Sequence, residues 1–211
     1  MSAPASQIHE LFPTPVMVSE RAIELAQVAA LVQRFGSQAR VSNPRSDALA
    51  HTRILPPDAD PLLDDLARRL MPLIVEFGEQ LFGERLTWRI KEMWVNTLHK
   101  GGRQSVHNHA NCFISGVLYL SDCHPSARLS FIKALGGRDF VFSNTHAGSR
   151  LGPFNADRWM APQASPGDLL LFPSYLLHEV PTNQGGTRIS LAFNAIPSRL
   201  DSWGYRIGLT P

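Results

Sequence analysis

Residues 106–121 read VHNHANCFISGVLYLS, and this stretch decides the fold. Its second half, from Ile114 to Ser121, is a short apolar run, which predicts a buried strand. Just upstream, His107 and His109 stand two apart, so an extended backbone puts both imidazoles on one face. Outward from this stretch the two-residue period recurs. Leu86, Trp88 and Ile90 alternate with Thr87, Arg89 and Lys91, and that strand is expected to run through Trp94 to Leu98 before a turn at Lys100-Gly101-Gly102. Further strands are expected at 106–112, 114–121, 127–133, 139–143, 158–162, 168–172, 176–181 and 187–195. About nine short strands separated by Gly, Pro and Asn turns indicate a sandwich or jelly roll.

The first third reads differently. Ser19 is a candidate cap for a helix with Ile23, Val28, Leu31, Val32 and Phe35 in one stripe, ending near Gly36. A second helix is predicted from Asp60 as cap and Pro61 in the first turn, with Gly83 as its stop. Leu62, Leu63, Leu66, Leu70, Leu73, Ile74, Phe77 and Leu81 form its buried face, and Pro72 should kink it. Between the helices, 41–57 contains Asn-Pro and Pro-Pro and reads as loop. The fold class is therefore mainly β with N-terminal helices (α+β). One domain is expected over 1–211, with helical support over about 1–85, a core over about 86–197 and a tail at 198–211.

Composition narrows the classes. A 211-residue chain can bury roughly 70% of the surface its unfolded form exposes, so no disulfide or structural metal is needed for stability. The net charge of +2, without a long Lys/Arg run, speaks against a nucleic-acid surface. Cys112 and Cys123 form no CxxC pair and read as reduced thiols. The N-terminal residues lack a basic segment followed by an apolar core, and no apolar run approaches the ~20 residues of a membrane span. A cytoplasmic protein without a membrane partner is the expectation.

Chemistry concentrates at three places. The His107/His109 pair needs a third donor to complete one face of a metal's coordination sphere while leaving the opposite face open. His178, emerging beyond the apolar strand that Pro166-Gly167-Asp168 feeds, can supply it. Arg188-Ile189-Ser190 then places a guanidinium and a hydroxyl on one face of a strand otherwise made of Ile189, Leu191 and Phe193. A cation embedded there is costly unless an anion neutralises it, and a carboxylate fits the guanidinium fork.

The order HxH, Tyr119-Leu120, Pro166-Gly167 with its apolar run, His178, and Arg188-x-Ser190 resembles the 2-oxoglutarate- and Fe(II)-dependent oxygenases, closest to the prolyl-hydroxylase-like branch. Trp94-Val95-Asn96, Ser115-Gly116-Val117-Leu118-Tyr119-Leu120 and Phe172-Pro173-Ser174 with Leu177-His178 look like a group of small oxygenases within it. The resemblance spans roughly residues 94–197. It implies a double-stranded β-helix (jelly roll, cupin-like) core flanked by two or more helices. It also implies His107 and His178 as the two iron-binding histidines and Arg188 as the partner of the distal carboxylate of 2-oxoglutarate. Tyr119 and Ser190 would assist, and Asn96 is a plausible hydrogen bonder beside them. The departure is His109, where most of the superfamily carries Asp or Glu; Glu179 should point away from the face His178 uses, so three imidazoles form the expected set.

The implied reaction uses Fe(II), O2 and 2-oxoglutarate as cosubstrate. Oxidative decarboxylation to succinate and carbon dioxide is coupled to hydroxylation of a C–H bond in a small molecule or an amino-acid or peptidyl side chain. Two alternatives stand beside it. A cupin-type isomerase or dioxygenase shares the HxH pair, but Phe113 and Ile114 occupy the places of the Glu ligand that follows. A non-catalytic metal- and ligand-binding module would keep the site without turnover. Among the remaining residues, His99 is a surface residue or a neighbour of the metal, and His146 belongs to a Gly-containing loop at 134–156 that is expected to be mobile near the site. Trp203 and Tyr205 are expected to pack on the barrel or on a second subunit in a homodimer.

Overall fold

One strand of 20 residues, Trp88–His107, organises the sheet by serving both of its halves. The computed structural model describes residues 7–42, 46–133, 144 and 146–209. In chain order the elements are β1 (Met17–Ser19), α1 (Leu25–Phe35), β2 (Val41–Ser42), β3 (Ser46–His51) and α2 (Pro61–Phe82), followed by β4 (Trp88–His107), β5 (Ile114–Tyr119), β6 (Ser130–Ile132) and β7 (Arg158–Met160). The chain continues with β8 (Leu169–Pro173), β9 (Leu177–Val180), β10 (Arg188–Pro197) and a separate hairpin, β11 (Arg199–Ser202) with β12 (Tyr205–Gly208). The strand order is β1-β8-β5-β10-β4-β9-β6-β7, every neighbour antiparallel, with β3 and β2 added beside β4.

The first part of β4 pairs with β10, from Trp88↔Pro197 to Leu98↔Arg188; beyond it, Gln104 and His107 pair with Val180 and His178 of β9. Between these registers lies Lys100-Gly101-Gly102. The expected turn does not form there. Gly101 takes φ +83. A Cβ on Gly102 would stand 2.7 Å from the Asp47 carbonyl oxygen. The two glycines thus bend an unbroken strand against β3 rather than ending it.

The sheet's two faces bury different sets. Leu118, Leu169, Leu171, Leu191 and Phe193 join Val28, Leu31, Leu63, Leu66, Leu70, Ile74 and Phe77 of the helices in one core. Val117, Tyr119, Leu170, Phe172, Phe131 and Leu98 form a second core on the other face. Strands buried on both sides read as continuous apolar runs, as Leu169–Pro173 does.

α2 follows its sequence signals closely. The Asp60 carboxylate accepts from the Leu62 N–H at 3.0 Å, Pro61 opens the helix and Gly83 closes it at φ +68. The helix continues past Pro72 to Phe82; Leu62 is largely exposed, whereas Leu73 and Leu81 pack at the margin of the core. α1 begins later than expected. Ser19 belongs to β1, and Glu24 caps the helix through a reciprocal box with Gln27. The segment read as loop contains β2 and β3; β2 pairs with β3 and β3 with β4 through the backbone, and neither shows an apolar alternation to detect. In the same way β1 and the β11–β12 hairpin are strands that the sequence pattern does not indicate. The strand expected at 139–143 lies outside the described residues.

Candidate metal and oxo-acid site

His107 is the last residue of β4 and His178 is its direct partner on β9, so strand register alone brings their rings to 4.2 Å between centroids. His109 lies beyond the strand end, not within the continuous strand 106–112 that the sequence predicts. Its N–H donates to the Ser174 carbonyl at 3.0 Å, which anchors the segment across the sheet opening. The rings still meet: His109 stands 5.2 Å from His107 and 5.0 Å from His178 between centroids. One ligand atom from each of the three lies within 4.8 Å of the others.

Each ring has its Nδ1 committed elsewhere. His107 Nδ1–H donates to the Ser105 carbonyl and His178 Nδ1–H to the Leu176 carbonyl, each at 2.8 Å. His109 Nδ1 lies 2.7 Å from Ser115 Oγ and 2.9 Å from Asn194 Oδ1. A carbonyl can only accept, so the tautomer of His107 and His178 follows: Nε2 carries the ring's lone pair. Burial also keeps two of the rings neutral. His178 is 3% exposed. Desolvation, with repulsion from His107 next, lowers its pKa to about 3. The same two causes lower His109 to about 4, partly opposed by the Asn194 hydrogen bond and the Glu92 charge. Neutral imidazoles with a lone pair on Nε2 are what a divalent metal requires. Phe172, Phe131 and Trp94 close around the cluster, with ring centroids 4.8 Å and 6.2 Å from His178 and 5.9 Å from His109 respectively.

Arg188, Ser190, Ala192 and Asn194 occupy alternate positions of β10 on the face opposite the helices. In register, Ser190 sits between Asn96 of β4 and Tyr119 of β5, so these three make one row across the sheet. Arg188 is 4% exposed; one terminal nitrogen donates to Ser190 Oγ at 3.0 Å, and its carbon lies 5.0 Å from the Tyr119 ring centre. Its Nε is buried without a partner, and among the described residues no carboxylate pairs with it. Burial pushes the Tyr119 phenol up despite the adjacent Arg188 charge, so the hydroxyl stays protonated. A buried cation beside a hydroxyl and a phenol is a receptor for an anion.

The other candidates fall away from this centre. His99 is exposed and lies 3.3 Å from Thr187 Oγ1, and His146 is exposed and bonds within its own turn. Glu179 faces away from His178 and pairs with Arg158. Both cysteines are free. Trp203 is 96% exposed at the hairpin tip and does not pack on the barrel. Of the loop expected at 134–156, residues 134–143 and 145 lie outside the described set. The residues that sequence reasoning missed are Ser115, Asn194 and Glu92: polar positions in β5, β10 and β4 that only register aligns behind His109. Phe131 and Leu176 also line an open cleft of about 1180 Å³ together with Trp159, Phe154 and Phe12.

A curled antiparallel sheet that gathers three imidazoles at one place and an unpaired guanidinium on the same face defines the class of metal-dependent jelly-roll proteins. Residues 92–194 match the profile of the family described as "Putative 2OG-Fe(II) oxygenase". Over this segment the chain is similar to the 2-oxoglutarate- and Fe(II)-dependent oxygenases. Solved structures share the fold. HygX from Streptomyces hygroscopicus, crystallised with nickel and 2-oxoglutarate, is 17% identical with a TM-score of 0.61, covering 88% of this chain and 84% of its own. A Pseudomonas putida prolyl-4-hydroxylase is 15% identical with a TM-score of 0.60, covering 86% and 92%. A 2OG-Fe(II) oxygenase family oxidoreductase from Burkholderia pseudomallei is 18% identical with a TM-score of 0.55, covering 85% and 83%. No curated protein sequence matches the chain. Among the described residues no helix is long and apolar enough to cross a membrane.

Proposed function

We propose that the protein is a 2-oxoglutarate-dependent oxygenase in which His107, His109 and His178 hold Fe(II) and Arg188 holds the cosubstrate. The observation that carries this reading is the pairing of a three-nitrogen cluster with a buried, unpaired cation on one face of one sheet. The family match over the segment containing all four residues supports it. Bound iron supplies the redox chemistry that couples decarboxylation of the oxo acid to oxidation of a substrate C–H bond.

The chain's own residues have defined tasks in this scheme. His107, His109 and His178 would hold the ion, each through one ring nitrogen, and these atoms all lie within 4.8 Å of one another. Gln104 Nε2, which donates to His107 Nε2 at 3.2 Å, gives up that bond. Arg188 takes the distal carboxylate through its fork, with Ser190 and Tyr119 as neighbouring hydroxyl donors and Asn96 beside them in the row. Ala192, between Ser190 and Asn194 on β10, leaves the space over the sheet free for the length of the oxo acid. Phe131, Phe172 and Trp94 keep water from the metal's surroundings. The cleft shared by Phe131, Leu176 and Trp159 offers the primary substrate, a small molecule or an amino-acid or peptidyl side chain, a way to the metal.

The discriminating experiment is anaerobic reconstitution with Fe(II) followed by addition of 2-oxoglutarate and O2. Succinate formation, even without primary substrate, is expected. Full iron occupancy and tight 2-oxoglutarate binding with no succinate would instead assign the protein as a non-catalytic ligand-binding module.

A further inference from the structure

The superfamily's acidic metal ligand is replaced by His109, yet a carboxylate stands one residue behind it. Asn194 Oδ1 is 2.9 Å from His109 Nδ1, Ser115 Oγ donates to that same oxygen at 2.9 Å, and Asn194 Nδ2 donates to Glu92 Oε1 at 2.7 Å. Ser115 and Asn194 are 0% and 4% exposed, so neither amide nor hydroxyl has bulk water as an alternative partner. Glu92 reaches this place because β4 carries a bulge. Asn194 pairs with Glu92 while the next residue, Ala195, pairs with Ile90, which leaves Lys91 as the extra residue. The slip turns Trp88 and Ile90 toward the helices, as Met93 and Val95 are, and turns Glu92 to the side of Asn194. Lys91 Nζ lies 3.3 Å from Glu92 Oε1, so the same carboxylate is paired with a cation.

We propose that Glu92, acting through Asn194, is a positioning residue that fixes the His109 tautomer and thereby aims Nε2 at the metal. The Glu92 carboxylate oxygen accepts, so Asn194 presents Nδ2 to it. The amide oxygen is then forced toward His109 and Ser115. An oxygen there requires a proton on His109 Nδ1, and the remaining lone pair is on Nε2. His107 and His178 achieve the same with backbone carbonyls, which cannot turn over; His109 depends on an amide that can. Glu92 therefore supplies the orientation that a carbonyl supplies elsewhere, and it restores a negative charge near the metal at one remove. This inference rests on His109 being a metal ligand.

Glu92→Gln tests it, since Gln can donate to Asn194 and so permits the amide to turn its Nδ2 toward His109. Co(II) is titrated into metal-free wild type, Glu92→Gln and the double variant Glu92→Gln/Asn194→Asp, and histidine tautomers are read from 15N chemical shifts in the metal-free proteins. Glu92→Gln is expected to lose roughly 10- to 100-fold in Co(II) affinity, the usual scale for the partners of metal-binding imidazoles. It should also populate the Nε2–H form of His109. The double variant should recover affinity and the Nδ1–H form, because the carboxylate introduced at position 194 accepts both from the amide introduced at position 92 and from His109. Wild-type affinity and tautomer in Glu92→Gln, or no recovery in the double variant, would overturn the proposal. Wild type that binds no Co(II) would overturn the metal site itself, a separate result.

Discussion

Replacing Arg188 by Met separates what this side chain does for ligand binding from what it does for the fold. In the folded protein Arg188 is 4% exposed, one nitrogen donates to Ser190, and its Nε has no partner among the described residues. Leaving a buried charged donor unsatisfied costs about 1–3 kcal/mol. Met fills a similar volume without that cost, so the ligand-free variant should unfold at the same or higher denaturant concentration. Binding should respond in the opposite direction. The distal carboxylate loses two charge-assisted hydrogen bonds, each about 1.5–3 kcal/mol, so a loss of about 4 kcal/mol is a conservative expectation. At about 1.4 kcal/mol per tenfold, Kd for 2-oxoglutarate rises on the order of a thousandfold. Anaerobic calorimetric titration of Ni(II)-loaded protein measures it. Pyruvate, which lacks the distal carboxylate, completes a cycle: wild type should prefer 2-oxoglutarate strongly, and Arg188→Met should bind the two nearly alike. A Kd for 2-oxoglutarate within threefold of wild type, or an unchanged preference over pyruvate, would refute the assignment of Arg188.

Other outcomes follow from the same geometry. His107→Ala and His178→Ala should each abolish iron retention while circular dichroism shows the sheet intact; full iron by elemental analysis in either variant counts against the ligand set. His109→Asp should still bind metal, because it restores the acid that most of the superfamily has at this position, and loss of metal in a folded variant would show that the position is not a ligand. Metal-free protein should lose stability on acidification. The folded-state values of about 4 for His109 and about 3 for His178 lie below the usual 6.5, so the unfolded chain binds more protons between those limits and stability falls as pH drops below 6.5. At pH 5 the loss is on the order of 2 kcal/mol per ring, from about 1.5 pH units at about 1.4 kcal/mol each. Urea denaturation at pH 7.5 and pH 5 that gives equal free energies would contradict it.

The residues that make strands and helices are legible where their burial is one-sided or complete. The Ile114–Tyr119 strand, the apolar strand Leu169–Pro173 and α2 with its Asp60, Pro61 and Gly83 signals all follow from local pattern. β3 does not, because Ser46–His51 has a single buried residue and is held by backbone bonds to β4. The Gly101-Gly102 bend also escapes, since two glycines in a row signal a turn as readily as a kink in a continuing strand. For the site, His107, His109, His178 and Arg188 stand out as polar side chains at spacings that apolar strands do not otherwise tolerate.

Sequence by itself determined the alternation of faces, the presence of three imidazoles and one embedded guanidinium, and hence the chemistry that such a set can hold. Tertiary structure decided which nitrogen of His107 and His178 can face a metal, that Arg188 has no acid partner among the described residues, and that Asn194 and Glu92 stand behind His109. The reason is physical: side-chain period is a property of one strand, whereas the hydrogen-bond partners behind His109 come from strands with residues up to 102 apart, set by register and by a one-residue bulge at Lys91.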